Sequence, residues 1–428
     1  MSYNDSRKNK RYKRKKKYRI NKPRFIFAII VALTLVWASF KLVLSASNLI
    51  SQKRSGLTAY SSDTIDEKDE KTNKNDEKDS ESSGAESISV LASGDILYQS
   101  TMVNAGYNSA TEKYDFTDHY GRIRDLISDC DLAITNLVGI IADKDESFSY
   151  GSLIILPEEV TTALRYAGFD AIATGNNHCL DNGAKGIENT IDAINFNNMK
   201  HFGTKKLIGE ELPIIDVKGI KIGLLSYAES FNGLEKILPE DKRYMISRLD
   251  EDQIKKDLSL LKSRGADLSI VYLNWGKEYS LSPDDAQIKT AHNLIESGAD
   301  LVLGTSTNVL QKMEIVNKDD KDKFIIYSMG NAISNLREET IQNKFAEVGV
   351  FLKFEIEKKD GDTVIKKLTT YPTWTNSYTD INGNKKFELL NTQDFVEGGK
   401  YRDTVNESTL NRIIEARDLA IKVLNGEL

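Results

Sequence analysis

Short apolar runs alternate with amphipathic segments from Ile88 onward, and this alternation constrains the fold of the chain more than any other feature. Strands that alternate with helices of about 10–15 residues are the βαβ signature of a mainly parallel sheet. The predicted strands are 88–92, 131–135, 171–174, 221–227, 268–273, 301–303 and 324–328, and the predicted helices are 120–128, 158–167, 186–195, 252–263 and 286–297. The sequence therefore predicts an α/β domain that begins at about Ile88.

The pattern changes towards the C-terminus. Residues 349–357 and 362–371 alternate apolar and polar side chains around a turn that ends in Asp360-Gly361, which predicts a β-hairpin. An amphipathic helix is predicted over 408–424, with Gly426 just past its end. We expect residues 379–428 to form a C-terminal extension that carries this helix.

Residues 1–24 are strongly basic, with about twelve Lys and Arg against a single acidic residue, Asp5. Such a run is typical of a nucleic-acid-binding tail, but an uncharged apolar stretch follows it directly over 25–40 and resumes after Lys41. About 20 apolar residues can cross a bilayer as a helix, and a basic flank marks the cytoplasmic side. We expect a transmembrane helix over 25–46, with membrane lipid and not nucleic acid as the partner of the basic tail.

A cleavable signal peptide is the alternative, with a cleavage site at Ser45-Ala46-Ser47, although its apolar core is usually only about 7–15 residues long. Residues 47–86 come next, and from Ser61 they are almost wholly charged or polar, which predicts a disordered tether. The expected localisation is therefore the cell membrane, with a single span, a cytoplasmic N-terminus and an extracellular main domain.

Two cysteines, Cys130 and Cys179, are too few for a disulfide framework. Cys130 precedes one predicted strand and Cys179 follows a neighbouring parallel strand, so about 15 Å of sheet should separate them. A disulfide requires Cα atoms within about 7 Å of each other. We predict two free, mostly buried thiols.

Small and polar residues follow six of the predicted strands. Because the carboxyl ends of parallel strands meet at one edge of a sheet, where α/β proteins bind ligands, these residues predict a shared cleft. Its candidate lining residues are Asn136, Asn176, Asn177, Asn274, Trp275, Glu278, Thr305, Asn308 and Asn331.

Seven motifs in order carry a resemblance to a known family. They are Ser93-Gly94-Asp95, residues 131–137, 167–170, 176–183, 275–279 and 297–304, and Tyr327-Ser328-Met329-Gly330-Asn331. The region 87–378 resembles the CapA family of capsule or poly-γ-glutamate synthesis proteins, whose domain is similar to calcineurin-like metallophosphatases. The resemblance implies a metallophosphatase-like α/β sandwich and a role in surface-polymer synthesis or export. It also implies partners among other membrane subunits of a synthesis complex and an anionic polymer.

The resemblance further implies a divalent metal site, but this chain departs from the family pattern at several ligand positions. Val138 stands where the family has Glu, Asn274 stands where it has His, and residues 305–308 (Thr-Ser-Thr-Asn) replace a run of His-His-Pro-His. The remaining candidates for metal ligands are Asp95, Asn177 and His178. Since one carboxylate and one imidazole hold a transition metal weakly, we expect no cofactor or a weakly held divalent metal.

Asp95 and His178 are the candidate catalytic residues, and each has a structural alternative in which it only bonds backbone groups of its loop. The other three histidines are expected to be ordinary surface or core residues. The leading hypothesis is a membrane-anchored, non-catalytic binding or scaffold subunit of surface-polymer synthesis. The alternatives are an extracytoplasmic metallohydrolase that uses Asp95, Asn177 and His178, and a surface protein of the same fold with an unrelated role.

Overall fold

The structure, a computed structural model, describes residues 86–143 and 147–428. These residues belong to one compact unit, Asp79–Leu428. The predictions made for 1–24, 25–46 and 47–86 lie outside the described residues, except that Glu86 already belongs to the first strand. Within the described ranges, the helices are too short or too polar to span a bilayer.

Two large sheets form the centre of the fold. Their strands are β1 (Glu86–Ile96), β2 (Leu132–Leu137), β3 (Ala171–Ala173), β4 (Lys200–Phe202), β5 (Ile214–Val217), β6 (Ile220–Ala228), β7 (Leu268–Asn274), β8 (Leu301–Thr305), β9 (Met313–Lys318), β10 (Lys321–Ile326), β11 (Asn331–Ile333), β12 (Val348–Lys359), β13 (Asp362–Thr379) and β14 (Lys385–Asn391). The first sheet has the order β14-β13-β12-β1-β2-β3-β4, with β11 also paired to β1, and the second has the order β5-β6-β7-β8-β10-β9.

Each sheet has a parallel half that carries the βαβ connections. Strands β1 to β4 run parallel in the first sheet, and β6, β7, β8 and β10 run parallel in the second. The α-helices are α1 (Ser100–Gly106), α2 (Arg124–Ser128), α3 (Glu159–Ala167), α4 (Gly183–Phe196), α5 (Glu251–Ser263), α6 (Asp285–Glu296), α7 (Glu338–Ile341) and α8 (Glu407–Leu424). The predicted α/β class and strand–helix alternation are confirmed.

The two sheets pack face to face, and the alternation of side chains along each strand fills three layers of core. Val90 of β1 and Leu224 of β6 lie in one cluster between the sheets. Their neighbours point the other way: Leu91 packs in the cluster beneath α3, and Leu225 packs in the cluster beneath α5 and α6. Continuous apolar runs therefore mark strands that are buried on both faces.

The C-terminal hairpin is confirmed and is longer than predicted. Lys359 pairs with Asp362 across a two-residue loop, in which Asp360 (φ 54°) and Gly361 (φ 80°) both have positive φ. This is the backbone that a tight hairpin turn requires and that Asp-Gly favours. Strand β14 then pairs with β13, so residues beyond 379 continue the same sheet before α8 ends the chain.

The predicted helix over 120–128 is wrong in its first half. A 3₁₀ turn spans Thr117–Tyr120, and α2 begins only at Arg124. Gly121 lies at the break between them, and glycine weakens a helix interior because it has the most backbone freedom to lose.

Both cysteines are free, as predicted, with Cys179 buried and Cys130 half-buried. Strands β2 and β3 are parallel neighbours. Cys130 precedes β2 and Cys179 follows β3, which places them at opposite ends of adjacent strands.

Candidate functional site

The carboxyl ends of β1, β2 and β3 bring three predicted site residues into contact. The register pairs Asp95 with Asn136, and Asn136 Nδ2 donates to Asp95 Oδ1 at 2.6 Å. Asn176, just after β3, donates from Nδ2 to Asn136 Oδ1 at 3.2 Å and to the Leu137 carbonyl at 2.7 Å. All three side chains are buried, so these bonds satisfy groups that would otherwise be costly to bury.

The second sheet closes the site from the opposite side. Asn274, at the end of β7, accepts from the Asn177 backbone N–H at 3.1 Å and lies 3.4 Å from Thr305 Oγ1. The Ser306 N–H, just past β8, donates to Asp95 Oδ2 at 3.0 Å. The ends of the two sheets thus meet in one hydrogen-bonded group. We call this group the amide cluster, and its members are Asp95, Asn136, Asn176, Asn177, Asn274 and Thr305.

Asp95 is the charged member of the amide cluster and is only 2% exposed. Burial raises the pKa of its carboxyl from 3.8 to about 6, because the ion loses its hydration. Hydrogen bonds from Asn136 and Ser306, and the nearby His178, oppose this rise by favouring the carboxylate. Asp95 therefore changes charge close to neutral pH.

His178 is half-buried and is held at two points. Its backbone N–H donates to Asn176 Oδ1 at 3.1 Å, and its ring Nδ1 lies 2.7 Å from Asp181 Oδ2. The Asp181 carboxylate is fully buried and also accepts from the Ile154 N–H. A carboxylate at Nδ1 fixes the ring orientation and leaves Nε2 as the group that faces other partners.

Asp181 and Ser306 were not among the predicted site residues. The i, i+3 spacing of His178 and Asp181 inside one motif is the signal that points to the first. Ser306 lies in the run 305–308 that replaces a family ligand motif, and it combines a φ of 91° with a hydrogen bond to a residue 211 positions away. Non-glycine residues at such φ values are strained and cluster at functional sites.

The other predicted cleft residues occupy different environments. Trp275 is buried in the core, where its indole N–H donates to the Tyr327 carbonyl at 2.9 Å, so its side chain packs inward instead of lining the cleft. Glu278 is exposed, which places it on the surface beside β7. Asn331 Nδ2 lies 3.4 Å from the Asn308 carbonyl. The register of β11 sets Asn331 beside Asp95.

Two buried oxygens at this end of the sheets have no hydrogen-bond partner among the described residues: Asn331 Oδ1 and Asp181 Oδ1. Buried acceptors are normally satisfied, so these two oxygens are exceptions to the hydrogen bonding of the surrounding groups.

The donor set does not fit a tightly held divalent metal. Such sites need several carboxylate or imidazole ligands, and no group of three His, Cys, Asp or Glu within residues 86–143 and 147–428 is arranged to hold one. Both oxygens of Asp95 already accept hydrogen bonds, and His178 Nδ1 faces Asp181. The expectation of no cofactor, or of a weakly held metal at Asp95, Asn177 and His178, stays a prediction.

Over residues 89–336, more than half of the chain, the sequence matches the family described as bacterial capsule synthesis protein PGA_cap. It is 29% identical over 181 residues to the capsule biosynthesis protein CapA of Bacillus anthracis. It is 26% identical over 186 residues to the PGA biosynthesis protein CapA of Bacillus subtilis. Each match covers 41% of this chain, and they cover 43% and 45% of the relatives, so the chain spans less than half of their length.

Among solved structures, the NAD nucleotidase of Haemophilus influenzae overlaps 78% of this chain and 62% of its own, with a TM-score of 0.43 and 9% identity. A calcineurin-like phosphoesterase of Bacillus subtilis overlaps 79% of this chain and 99% of its own, with a TM-score of 0.40 and 14% identity. Because both TM-scores are below 0.5, these overlaps carry no information on the chemistry of the site.

Proposed function

The chain belongs to the bacterial capsule synthesis family PGA_cap, and from this premise we propose that it is a non-catalytic binding or scaffold subunit of surface-polymer synthesis. The polymer class is an anionic capsule such as poly-γ-glutamate. The protein would act from the membrane, anchored by residues 25–46, with the domain outside the cell and other membrane subunits of the synthesis complex as partners.

The composition of the amide cluster supports this proposal. Its polar groups are mostly neutral amides and hydroxyls that bond one another, and its one carboxylate is engaged at both oxygens. Hydrolysis assisted by a metal requires an open coordination position held by several charged ligands. Most members of the amide cluster are buried and bond one another, so the cluster is better suited to fixing the junction of the two sheets than to hydrolysis.

Complementation distinguishes a scaffold from a hydrolase. In a strain that lacks the chain, we expect wild type and His178→Gln to restore surface polymer to similar levels. Asn274→Leu should fail, because it removes the contact between the sheets at Asn177 while the chain is still made. Immunoblotting of membranes controls for expression.

Near-stoichiometric metal in the purified full-length chain, together with a hydrolytic activity that both Asp95→Asn and His178→Gln abolish, would establish an enzyme and overturn the proposal.

One observation favours that second candidate, an extracytoplasmic metallohydrolase. The contact between His178 and Asp181 at 2.7 Å is the arrangement that orients imidazoles in metal and acid–base sites. On this alternative, Asp181→Asn lowers activity by about 10- to 100-fold by releasing the ring, whereas the scaffold proposal predicts unchanged polymer.

A further inference from the structure

Two insertions bring a group of aromatic side chains to the edge of the first sheet that also carries the amide cluster. One insertion follows β1 and contains a hairpin of two short strands, Tyr107–Asn108 and Lys113–Tyr114. The other follows β2 and contains the short strand Ser149–Tyr150. Because β1 and β2 run parallel, both insertions leave the sheet at its carboxyl edge. We call the group the aromatic patch, and its members are Tyr107, Tyr114, Phe148 and Tyr150.

The rings of the aromatic patch meet at steep angles. Tyr107 and Tyr114 are directly opposite each other in the hairpin, and their ring centroids are 5.1 Å apart with the planes at 50°. Phe148 lies edge-on to Tyr114, at 5.4 Å and 85°. Rings at such angles offer no common flat surface to a planar base or a sugar ring, whereas a small round cation needs only individual ring faces.

The aromatic patch is both accessible and held in place. Tyr107 is 45% exposed, and the other three members are half-buried. Tyr114 and Tyr150 pack against the core beneath α3, and the Asp115 N–H donates to the Gly106 carbonyl at 2.9 Å, which ties the hairpin to the end of α1. Side chains that are already ordered lose little conformational freedom when a ligand binds.

One carboxylate lies beside the aromatic patch. Burial, the nearby Tyr107 and the carboxylate of Glu159 raise the pKa of Tyr114, so Glu159, the first residue of α3, lies near its hydroxyl. Lys113 precedes Tyr114 in the same short strand, and successive side chains of a strand point to opposite faces. The aromatic patch therefore combines the negative faces of its rings with a carboxylate, and both attract a cation.

We propose that the aromatic patch binds an alkylammonium group, the side chain of a lysine on a partner protein. Tyr107 and Tyr114 would contact the cation through their ring faces, and Glu159 would supply the opposite charge. Such a site requires neither the polymer nor a metal, so it stands apart from the proposed function.

Saturation-transfer NMR of the full-length chain in detergent micelles tests this site with Nα-acetyl-lysine amide. We expect saturable binding, with Nα-acetyl-norleucine amide, the uncharged analogue, at least about fivefold weaker. Tyr107→Leu and Glu159→Gln should each weaken binding of the lysine probe by about fivefold, because they remove a ring face and the carboxylate. Tyr107→Phe keeps the ring face and should change binding by less than about twofold.

Tyr166→Leu is the matched control. Tyr166 is a tyrosine of similar exposure, 43%, but it lies outside the aromatic patch and its ring is already covered by the Arg124 guanidinium at 5.0 Å. Its loss should leave binding within about twofold. The proposal is overturned if the lysine probe does not bind, if the norleucine probe or chitotriose binds as tightly, if Tyr107→Phe weakens binding as much as Tyr107→Leu, or if Tyr107→Leu and Glu159→Gln both leave binding unchanged.

Discussion

At the scale of single residues, burial changes the pKa of the Asp95 carboxyl. An exposed aspartate is ionised well below neutral pH, but burial raises the pKa of this one to about 6. The bonds from Asn136 and Ser306 moderate the rise without cancelling it. The protein therefore holds a carboxyl whose charge depends on pH near neutrality, at the junction of its two sheets.

This predicts a pH-dependent stability that Asp95→Asn removes. Because the folded state binds the proton more tightly than the unfolded state, the contribution of Asp95 is full below about pH 4 and is lost as the pH rises through about 6. Relative to wild type, the variant should gain about 2 kcal/mol in free energy of unfolding between pH 4 and pH 7, at about 1.36 kcal/mol per pH unit of difference in bound protons.

Urea denaturation of both chains from pH 4 to pH 7 measures this difference. The comparison between chains is needed because burial lowers the pKa of His119 to about 4, which gives the opposite slope in the same range. Parallel profiles for wild type and Asp95→Asn would contradict the prediction.

At the scale of elements, the C-terminal helix α8 is attached to the sheet through one buried acid. Glu347 accepts from Arg412 of α8 at 3.0 Å, from Arg337 at 3.0 Å and from the Trp374 indole at 2.8 Å. The helix also buries Ile413 and other apolar residues against the core between the sheets. The charge network therefore adds directional contacts to the apolar packing of α8.

We predict that Glu347→Gln lowers the free energy of unfolding by about 3 kcal/mol, because it leaves the guanidinium groups without their buried counter-ion. It should also expose α8 to proteolysis. Glu355→Gln is the control, since Glu355 forms an exposed cross-strand pair with Lys367 at 3.1 Å and its loss should cost less than about 1 kcal/mol. Denaturant titration and timed proteolysis measure both effects, and equal losses would refute the role of Glu347.

At the scale of the whole molecule, the parallel sheet keeps the two thiols apart, and burial lowers their reactivity. Adjacent parallel strands keep Cys130 and Cys179 at opposite ends. Burial raises the pKa of Cys179 to about 12 and also raises that of Cys130. Both thiols are therefore mostly protonated and poor nucleophiles in the folded protein.

Thiol labelling as a function of denaturant tests this arrangement. Cys130, which is half-buried, should react slowly in native buffer, and Cys179 should react only with the global unfolding transition, as followed by mass spectrometry of the labelled peptides. The fully denatured chain gives the reference rate. Reaction of Cys179 in native buffer at that rate, or a bridge between the two cysteines, would contradict the topology.

The sequence by itself determined the α/β class with its main alternation of strands and helices, the Asp-Gly hairpin, the free thiols and the family, and these predictions are confirmed. They could be predicted because periodicity, turn chemistry and motif spacing are local properties of the chain. Only the tertiary structure decided which of these residues touch. Asn177 meets Asn274 across 97 residues, and Asp95 meets Ser306 across 211, because the two sheets pack face to face with these strand ends at the same edge. The raised pKa of Asp95 and the burial of Trp275 both follow from that packing, which no local pattern encodes.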